Sequence, residues 1–122
     1  MEPRTIARVH SLGRVALGAG LVLAPGLVAG TWVGAAGDQP GGRVIAAAMG
    51  ARDVGLGLGM LSAVGRGRGA RPWLRAAILA DAADLVATVR AREDLPPFSV
   101  PLVGGMAAGS VVLGAWLHAT LE

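Results

Sequence analysis

Two stretches of about twenty residues without a single acidic or basic side chain constrain this chain most. They run from 15 to 34 and from 98 to 117. A helix needs roughly 20 predominantly apolar residues to cross the hydrocarbon core of a bilayer. Two further helical patterns separate them. The sequence therefore predicts a single all-α domain, a bundle of four transmembrane helices, over approximately 15–34, 44–64, 73–91 and 98–118.

The overall composition agrees with a membrane location. Charged residues make up 16% of the chain and hydrophobic residues 53%, whereas soluble domains carry charge on about a quarter of their residues. The polar side chains that would coat a soluble domain of 122 residues are therefore missing. We expect a multi-pass protein of the cell membrane, with the lipid bilayer as its first partner.

The arginines predict the orientation of the bundle. Three lie in the N-terminal tail and four between the second and third spans, whereas the other two loops carry three together. Because cytoplasmic loops carry the excess of Arg and Lys, both termini are expected in the cytoplasm. Trp32, Trp73 and Trp116 fall near span ends, where amphipathic rings settle at the headgroup level.

The first span has two notable features. Pro25 lies inside it and should kink the helix, because proline removes a backbone donor and clashes with the preceding turn. The alternative interpretation is a secretory signal peptide with Val33 and Ala35 at its cleavage site. The apolar run is longer than the roughly 7 to 15 residues of such peptides, which favours an uncleaved anchor.

The third segment is the least hydrophobic of the four. On insertion scales, its Asp81 and Asp84 cost roughly 5–7 kcal/mol at the centre of a span, whereas its six large apolar residues return only about 2–4 kcal/mol. This segment should not be stable facing lipid by itself. It needs a polar partner inside the bundle, or it is not a crossing.

The ionisable residues inside the proposed spans form a candidate polar cluster of Arg52, Asp53, Asp81 and Asp84. With a rise of about 1.5 Å per residue, Arg52 and Asp84 lie at nearly equal depth in a hairpin of the second and third spans. Adjacent residues on a helix point about 100° apart, so Asp53 should not pair with Arg52. We expect Arg52 between Asp81 and Asp84.

This cluster has two interpretations. Three acids against one base leave surplus negative charge in a low dielectric, which predicts that one carboxyl group holds a proton near neutral pH. The cluster then either fixes the second helix to the third, or acts as a proton or cation relay or a polar ligand site.

Small residues recur four apart on three of the predicted spans. Such spacing lets helix backbones approach closely in lipid. The predicted helix-packing glycines are Gly26, Gly30 and Gly34 on the first span, Gly55 and Gly59 on the second, and Gly105 and Gly109 on the fourth.

Several function classes are disfavoured. Nucleic-acid binding is not expected, because the basic residues are dispersed and stacking aromatics are few. Cysteine is absent, and the histidines His10 and His118 lack ligand-like spacing, so we expect no metal and no other cofactor. No catalytic residue is assigned and no enzyme is predicted, because no Cys, Lys or Tyr is present and neither His lies beside the acids in the sequence.

The segment GARDVGLGLGML at 50–61, the Arg-rich loop after it and DAADL at 81–85 resemble small four-helix bacterial membrane proteins of unknown function. A looser likeness is to DoxX-like four-helix membrane proteins. The first resemblance implies that the cluster residues occupy the characteristic polar positions of that family, and it implies no activity.

The sequence thus predicts an integral membrane protein with a structural or interaction role. Its expected partner is a second copy or a larger membrane protein that contacts the glycine faces. The alternative is a small proton-coupled transporter that uses Asp81 and Asp84.

Overall fold

The computed structural model describes residues 1–121, and within them the chain forms five α-helices and no strand. A 3₁₀ turn, Gly34–Asp38, follows the second helix, and a π-helical turn, Val100–Gly104, leads directly into the last. The all-α prediction is confirmed. The helices are α1 (Pro3–Leu23), α2 (Pro25–Val33), α3 (Pro40–Arg66), α4 (Ala70–Arg90) and α5 (Gly105–Thr120).

The first helix differs from the predicted span at 15–34. It begins at Pro3, a residue whose fixed φ suits the first turn of a helix, and it ends at Leu23. Ala24 has a non-helical backbone, with φ −137° and ψ 61°, and Pro25 opens α2. Pro25 therefore divides the predicted span into two helices. Because α1 begins at Pro3, Arg14 lies in the middle of this helix and not before it.

The α3–α4 hairpin is closed by glycines. Gly67 and Gly69 have left-handed backbones with φ of 70° and 81°, a conformation that costs little only without a Cβ. Gly67 caps α3 by donating its N–H to Val64 O, at 3.1 Å. The short turn makes α3 and α4 antiparallel neighbours. It positions Arg52 and Asp84 near one another.

Three helical segments are long and apolar enough to cross a membrane, namely Pro3–Leu23, Pro40–Arg66 and Val100–Thr120. Large apolar side chains are also exposed around the bundle, as for Leu27 at 78% and Val112 at 70%. Extended exposed apolar surface marks a membrane or protein contact. Both observations are typical of a membrane protein.

The tightest packing is between α1 and α3. A Cβ built on Gly18 would lie 2.5 Å from the carbonyl oxygen of Gly50, and one built on Gly50 would lie 2.5 Å from that of Gly18. A Cβ on Gly57 would lie 2.8 Å from Ser11 O. Backbones this close exclude any larger residue, because real Cβ contacts are not made at such distances. These glycines hold α1 against α3.

Most of the glycines predicted to pack helices do not lie at such close contacts. A Cβ at Gly30, Gly55, Gly105 or Gly109 would meet nothing within 4 Å, so within the chain these four do not mediate helix packing. Of the other three, Gly26 faces Asp38, Gly34 faces Pro96 and Gly59 lies under the ring of Trp73. The four-residue spacing finds glycines, but it does not indicate which of them face another helix of the chain.

The hydrophobic core lies at the end of the bundle that holds the α3–α4 turn. Residues from the start of α1, the end of α3, the start of α4 and the end of α5 meet there. They are Ala7, Met60, Ala63, Val64, Ala70, Leu74, Leu117 and Leu121. Within the bundle, α1 packs mainly against α3 and α4 mainly against α5, which gives two helix pairs.

Candidate functional site

The candidate site is an ionic network where α1, α3 and α4 meet. Arg14 lies on α1, Arg52 and Asp53 on α3, and Asp81 and Asp84 on α4. The four residues predicted from the sequence are therefore brought together, and Arg14 joins them. We call these five residues the ionic network.

Arg14 connects two helices to its own. Its Nη1 donates a hydrogen bond to Asp53 Oδ1 at 3.1 Å, and its Nη2 donates to Asp81 Oδ2. The side chains of Arg14, Asp53 and Asp81 are all at most 10% exposed. Charge-assisted bonds of this kind are roughly twice as strong as neutral ones. One guanidinium thus connects α1 to both α3 and α4.

Arg52 forms the second ion pair. Its Nη1 and Nη2 donate to the two carboxylate oxygens of Asp84 at 3.1 and 2.7 Å, a bidentate arrangement. Its Nε and Nη2 also donate to Asp53 Oδ1 at 3.2 and 3.1 Å. The Arg52 side chain is 32% exposed. It is therefore more accessible than Arg14.

Asp53 is the centre of the network, because its Oδ1 accepts hydrogen bonds from both arginines. The expectation that Asp53 does not pair with Arg52 is wrong. The flexible arginine stem turns its guanidinium back toward the neighbouring carboxylate. The expectation that Arg52 lies between both α4 acids is also wrong, since the basic partner of Asp81 is Arg14.

The charge balance also changes. The sequence predicts three carboxylates against one guanidinium, whereas two guanidiniums lie in the network. With all groups ionised, the surplus is one negative charge instead of two. Every buried side-chain nitrogen and oxygen among residues 1–121 has a hydrogen-bond partner. No fully buried polar atom of the network therefore lacks a partner, as burial of charged groups requires.

Arg14 is the functional residue that sequence reasoning missed. The buried residues of α1 are Ala7, Ser11, Arg14, Gly18 and Leu21, with spacings of four, three, four and three. This is the spacing of one face of an α-helix. Small residues fill most of that face, so the pattern could have placed Arg14 among them. Its position before an uncharged run concealed it.

The ionic network borders a cavity of about 510 Å³ between the two helix pairs. Arg14, Asp53, Asp81 and Asp84 contribute polar wall. The remaining wall is mainly apolar and comes from α1, α2, α3, the π-helical turn and α5. Its large apolar members are Leu17, Leu21, Val28, Met49, Leu102, Val103, Met106 and Leu113.

Two further polar side chains lie near the ionic network. His10 and Ser110 line the large cavity, and they also line a second cavity of about 20 Å³. Arg14 and Asp81 border both cavities too. A space of that size holds about one water molecule. Hydrogen-bonding groups from α1, α4 and α5 therefore converge at one end of the large cavity.

The cavity is open on the side where α1 and α5 face each other. These two helices barely touch. The lining residues Leu17 on α1 and Met106 on α5 are 42% and 54% exposed. Gly13 and Gly109, which also line the cavity, would each have open space around a Cβ. We call this gap the α1–α5 opening.

Trp32 joins α2 to the second helix pair. Its Nε1 donates to Thr88 Oγ1 at 3.0 Å, and its carbonyl oxygen accepts a bond from Ser99 Oγ at 2.5 Å. Thr88 in turn donates to Asp84 O at 2.7 Å. Trp32 also lines the cavity. The aromatic ring predicted at the headgroup level is thus held by hydrogen bonds inside the bundle.

The histidines lie in different surroundings. His10 borders the cavity, whereas His118 accepts a hydrogen bond from Arg75 Nε at 3.2 Å. Within the described residues, no three His, Asp or Glu side chains are grouped so as to hold a metal ion.

No protein-family model matches the chain, and no match was found among curated proteins or solved structures.

Proposed function

We propose that this chain is a small non-enzymatic membrane protein of four crossings, with both termini in the cytoplasm and α4 held inside the bundle by the ionic network. The observation that carries this proposal is the pairing of both α4 carboxylates with guanidiniums from α1 and α3. Without such partners, two aspartates make a span unfavourable in lipid.

The length of α4 supports four crossings. Its 21 residues extend about 31 Å at 1.5 Å per residue, close to the roughly 30 Å hydrocarbon core. It joins α3 through a tight turn and packs along α5. A helix of this length between two spanning helices crosses with them. The arginines support the orientation. Six lie at the end of the bundle that holds both termini, two on α1 and four around the α3–α4 turn, whereas three lie at the other end. The end with more arginines is expected in the cytoplasm.

Topology is testable because the chain contains no cysteine. Single cysteines at Asp38, Arg68, Asp94 and Thr120 would be labelled in intact cells with a membrane-impermeant maleimide. All four residues are exposed. Four crossings predict labelling at 38 and 94 only. Labelling at 38 and 120, with 94 protected, would instead mean three crossings and would refute the role given to α4.

The interaction part of the proposal rests on the glycines that no helix of the chain covers. Gly30, Gly55 and Gly105 leave room for the backbone of another helix. A second copy or a larger membrane protein would contact them. Self-association of the wild type would be compared with that of Gly55→Leu and of Gly65→Leu, a control at another open glycine. Weaker association of Gly55→Leu alone would support this role. Equal association of all three proteins would contradict contact at Gly55.

A second candidate function is proton-coupled transport through Asp81 and Asp84, which the cavity beside them favours. Proton flux into proteoliposomes of the wild type would be compared with that of Asp81→Asn and Asp84→Asn. Flux that is lost in folded variants would support transport. Absence of flux in the wild type, together with loss of folded protein in the variants, would support the structural role.

A further inference from the structure

The cavity between the two helix pairs has two chemically distinct parts. One wall carries four residues of the ionic network, all except Arg52, together with His10 and Ser110, and the rest is mainly apolar side chain. Ligand pockets commonly measure 300–1,000 Å³ and combine apolar walls with a few convergent polar groups. At about 510 Å³, this cavity lies within that range. Its shape suits a molecule with an apolar body and one polar end.

The sign of the charge selects that polar end. With all groups ionised, the three carboxylates and two guanidiniums of the network leave one negative charge that none of its side chains balances. A bound monocation would neutralise it, whereas an anionic group would add a second uncompensated charge in a low dielectric. An ammonium donates up to three hydrogen bonds and accepts none. The Asp81 carboxylate and Ser110 Oγ are acceptors bordering the same cavity, and His10 lies in the same part of its wall.

The route of entry follows from the α1–α5 opening. Gly13 and Gly109 border the opening without a side chain, and Leu17 and Met106 give it apolar edges. In a membrane this opening faces lipid, where an amphipathic molecule is concentrated. An amphiphile can therefore enter sideways, with its polar end leading toward the ionic network.

From these observations we propose that the cavity binds an amphipathic monocation, an aliphatic or aromatic amine whose ammonium group lies at the ionic network and whose apolar body fills the space toward the α1–α5 opening. This binding activity goes beyond the structural role proposed above, and it does not require α4 to cross the membrane.

Trp32 provides a direct readout, because it lines the cavity. In a Trp73→Phe/Trp116→Phe background reconstituted in nanodiscs, its fluorescence would be titrated with 10-bromodecylamine, 10-bromodecanol and 10-bromodecanoate. All three probes carry a quenching bromine on the same chain. The proposal predicts saturable quenching by the amine at a concentration at least about tenfold below that of the alcohol, with the carboxylate weakest. Equal or non-saturating quenching by all three, as lipid partitioning alone gives, would overturn it.

Two variants separate the site from its surroundings. Gly109→Phe places a ring at the opening where a Cβ has free space, so the protein should fold and lose saturable quenching. Ala115→Phe is the matched control, since Ala115 is an exposed residue of the same helix outside both cavities. Unchanged amine affinity in folded Gly109→Phe would refute binding in this cavity.

The charge argument has its own variant. Asp84→Asn leaves two carboxylates and two guanidiniums, so the preference for amine over alcohol should fall to near one. A preference that persists in folded Asp84→Asn would refute the electrostatic selection. If Asp84→Asn lowers the folded fraction, the amine affinities of Gly109→Phe and Ala115→Phe decide the proposal. The maleimide pattern is read independently, so failure of the four-crossing topology is distinguishable from failure of amine binding.

Discussion

The two interfaces of α3 are built by different means. Against α1, glycines bring the backbones together and the contact extends along the helices. Against α4, the contact is shorter, and away from the hydrophobic core near the turn it relies on Arg52 and Asp84, with Arg14 reaching across from α1. Close packing needs no polar group but tolerates no added volume. Ion pairing bridges a wider gap, leaves a cavity beside it, and depends on every charge having its partner.

The largest effect is expected from removing the arginine that joins both interfaces. Arg14→Gln leaves Asp53 and Asp81 without their shared guanidinium, and breaking a buried ion pair from one side costs about 3–5 kcal/mol. Denaturant titration of the detergent-solubilised protein, followed by circular dichroism, measures the change in free energy of unfolding. Arg8→Gln, at an exposed arginine of the same helix, should change it by less than about 0.5 kcal/mol. Similar losses for both variants would mean that Arg14 contributes no more than a surface charge.

A single methyl group tests the glycine interface. In Gly50→Ala the new Cβ would lie 2.5 Å from Gly18 O and 2.7 Å from Leu21 Cβ, so the helices must separate. Overpacking of this kind costs about 1–3 kcal/mol. The same titration on Gly55→Ala, where the Cβ meets nothing, should show no loss, because alanine favours helix by roughly 0.5–1 kcal/mol over glycine. Equal stability of the two variants would contradict the close approach of α1 and α3.

The contribution of the second ion pair can be isolated by a double-mutant cycle. Arg52→Gln, Asp84→Asn and the double variant should give a coupling energy of about 1–2 kcal/mol. This is smaller than the effect at Arg14, because Arg52 is more exposed and keeps Asp53 as a partner. Thermal unfolding in detergent gives the four stabilities. A coupling near zero would show that the bidentate contact does not hold α3 to α4.

The smallest effect is expected at the hydrogen bond between α2 and α4. Thr88→Val removes the acceptor of the Trp32 indole N–H and should cost about 1 kcal/mol. The Trp32 emission maximum should shift as the indole loses its partner. Thr120→Val is the control, since the Thr120 hydroxyl bonds only to carbonyls of its own helix. An unchanged Trp32 spectrum in Thr88→Val would refute the contact.

The residues differ in how far the sequence alone could locate them. Hydropathy and the helical rise per residue predict Arg52 and Asp84 at the same depth in the bundle. This prediction succeeds because a tight glycine turn fixes the register of α3 against α4. The sequence does not indicate Arg14, because the uncharged run begins only after it. The first helix in fact begins at Pro3 and is interrupted before Pro25. Gly18, Gly50 and Gly57 have no glycine four residues away that would distinguish them. The cavity depends on the distance between α1 and α5, which are far apart in sequence and leave no local pattern.

Arg14 also imposes an order on biosynthesis. It emerges from the ribosome in the first helix, whereas its acceptors Asp53 and Asp81 follow 39 and 67 residues later. At about 5–20 residues per second, the second acceptor arrives roughly 3–13 s after Arg14. Until Asp53 has been made, a lone arginine in a span costs about 2.5–3.5 kcal/mol on insertion scales. In the proposed topology we expect α1 to stay beside the insertion machinery until both acceptors have been made, and a chain that stops before Asp81 lacks one of the two ion pairs of Arg14.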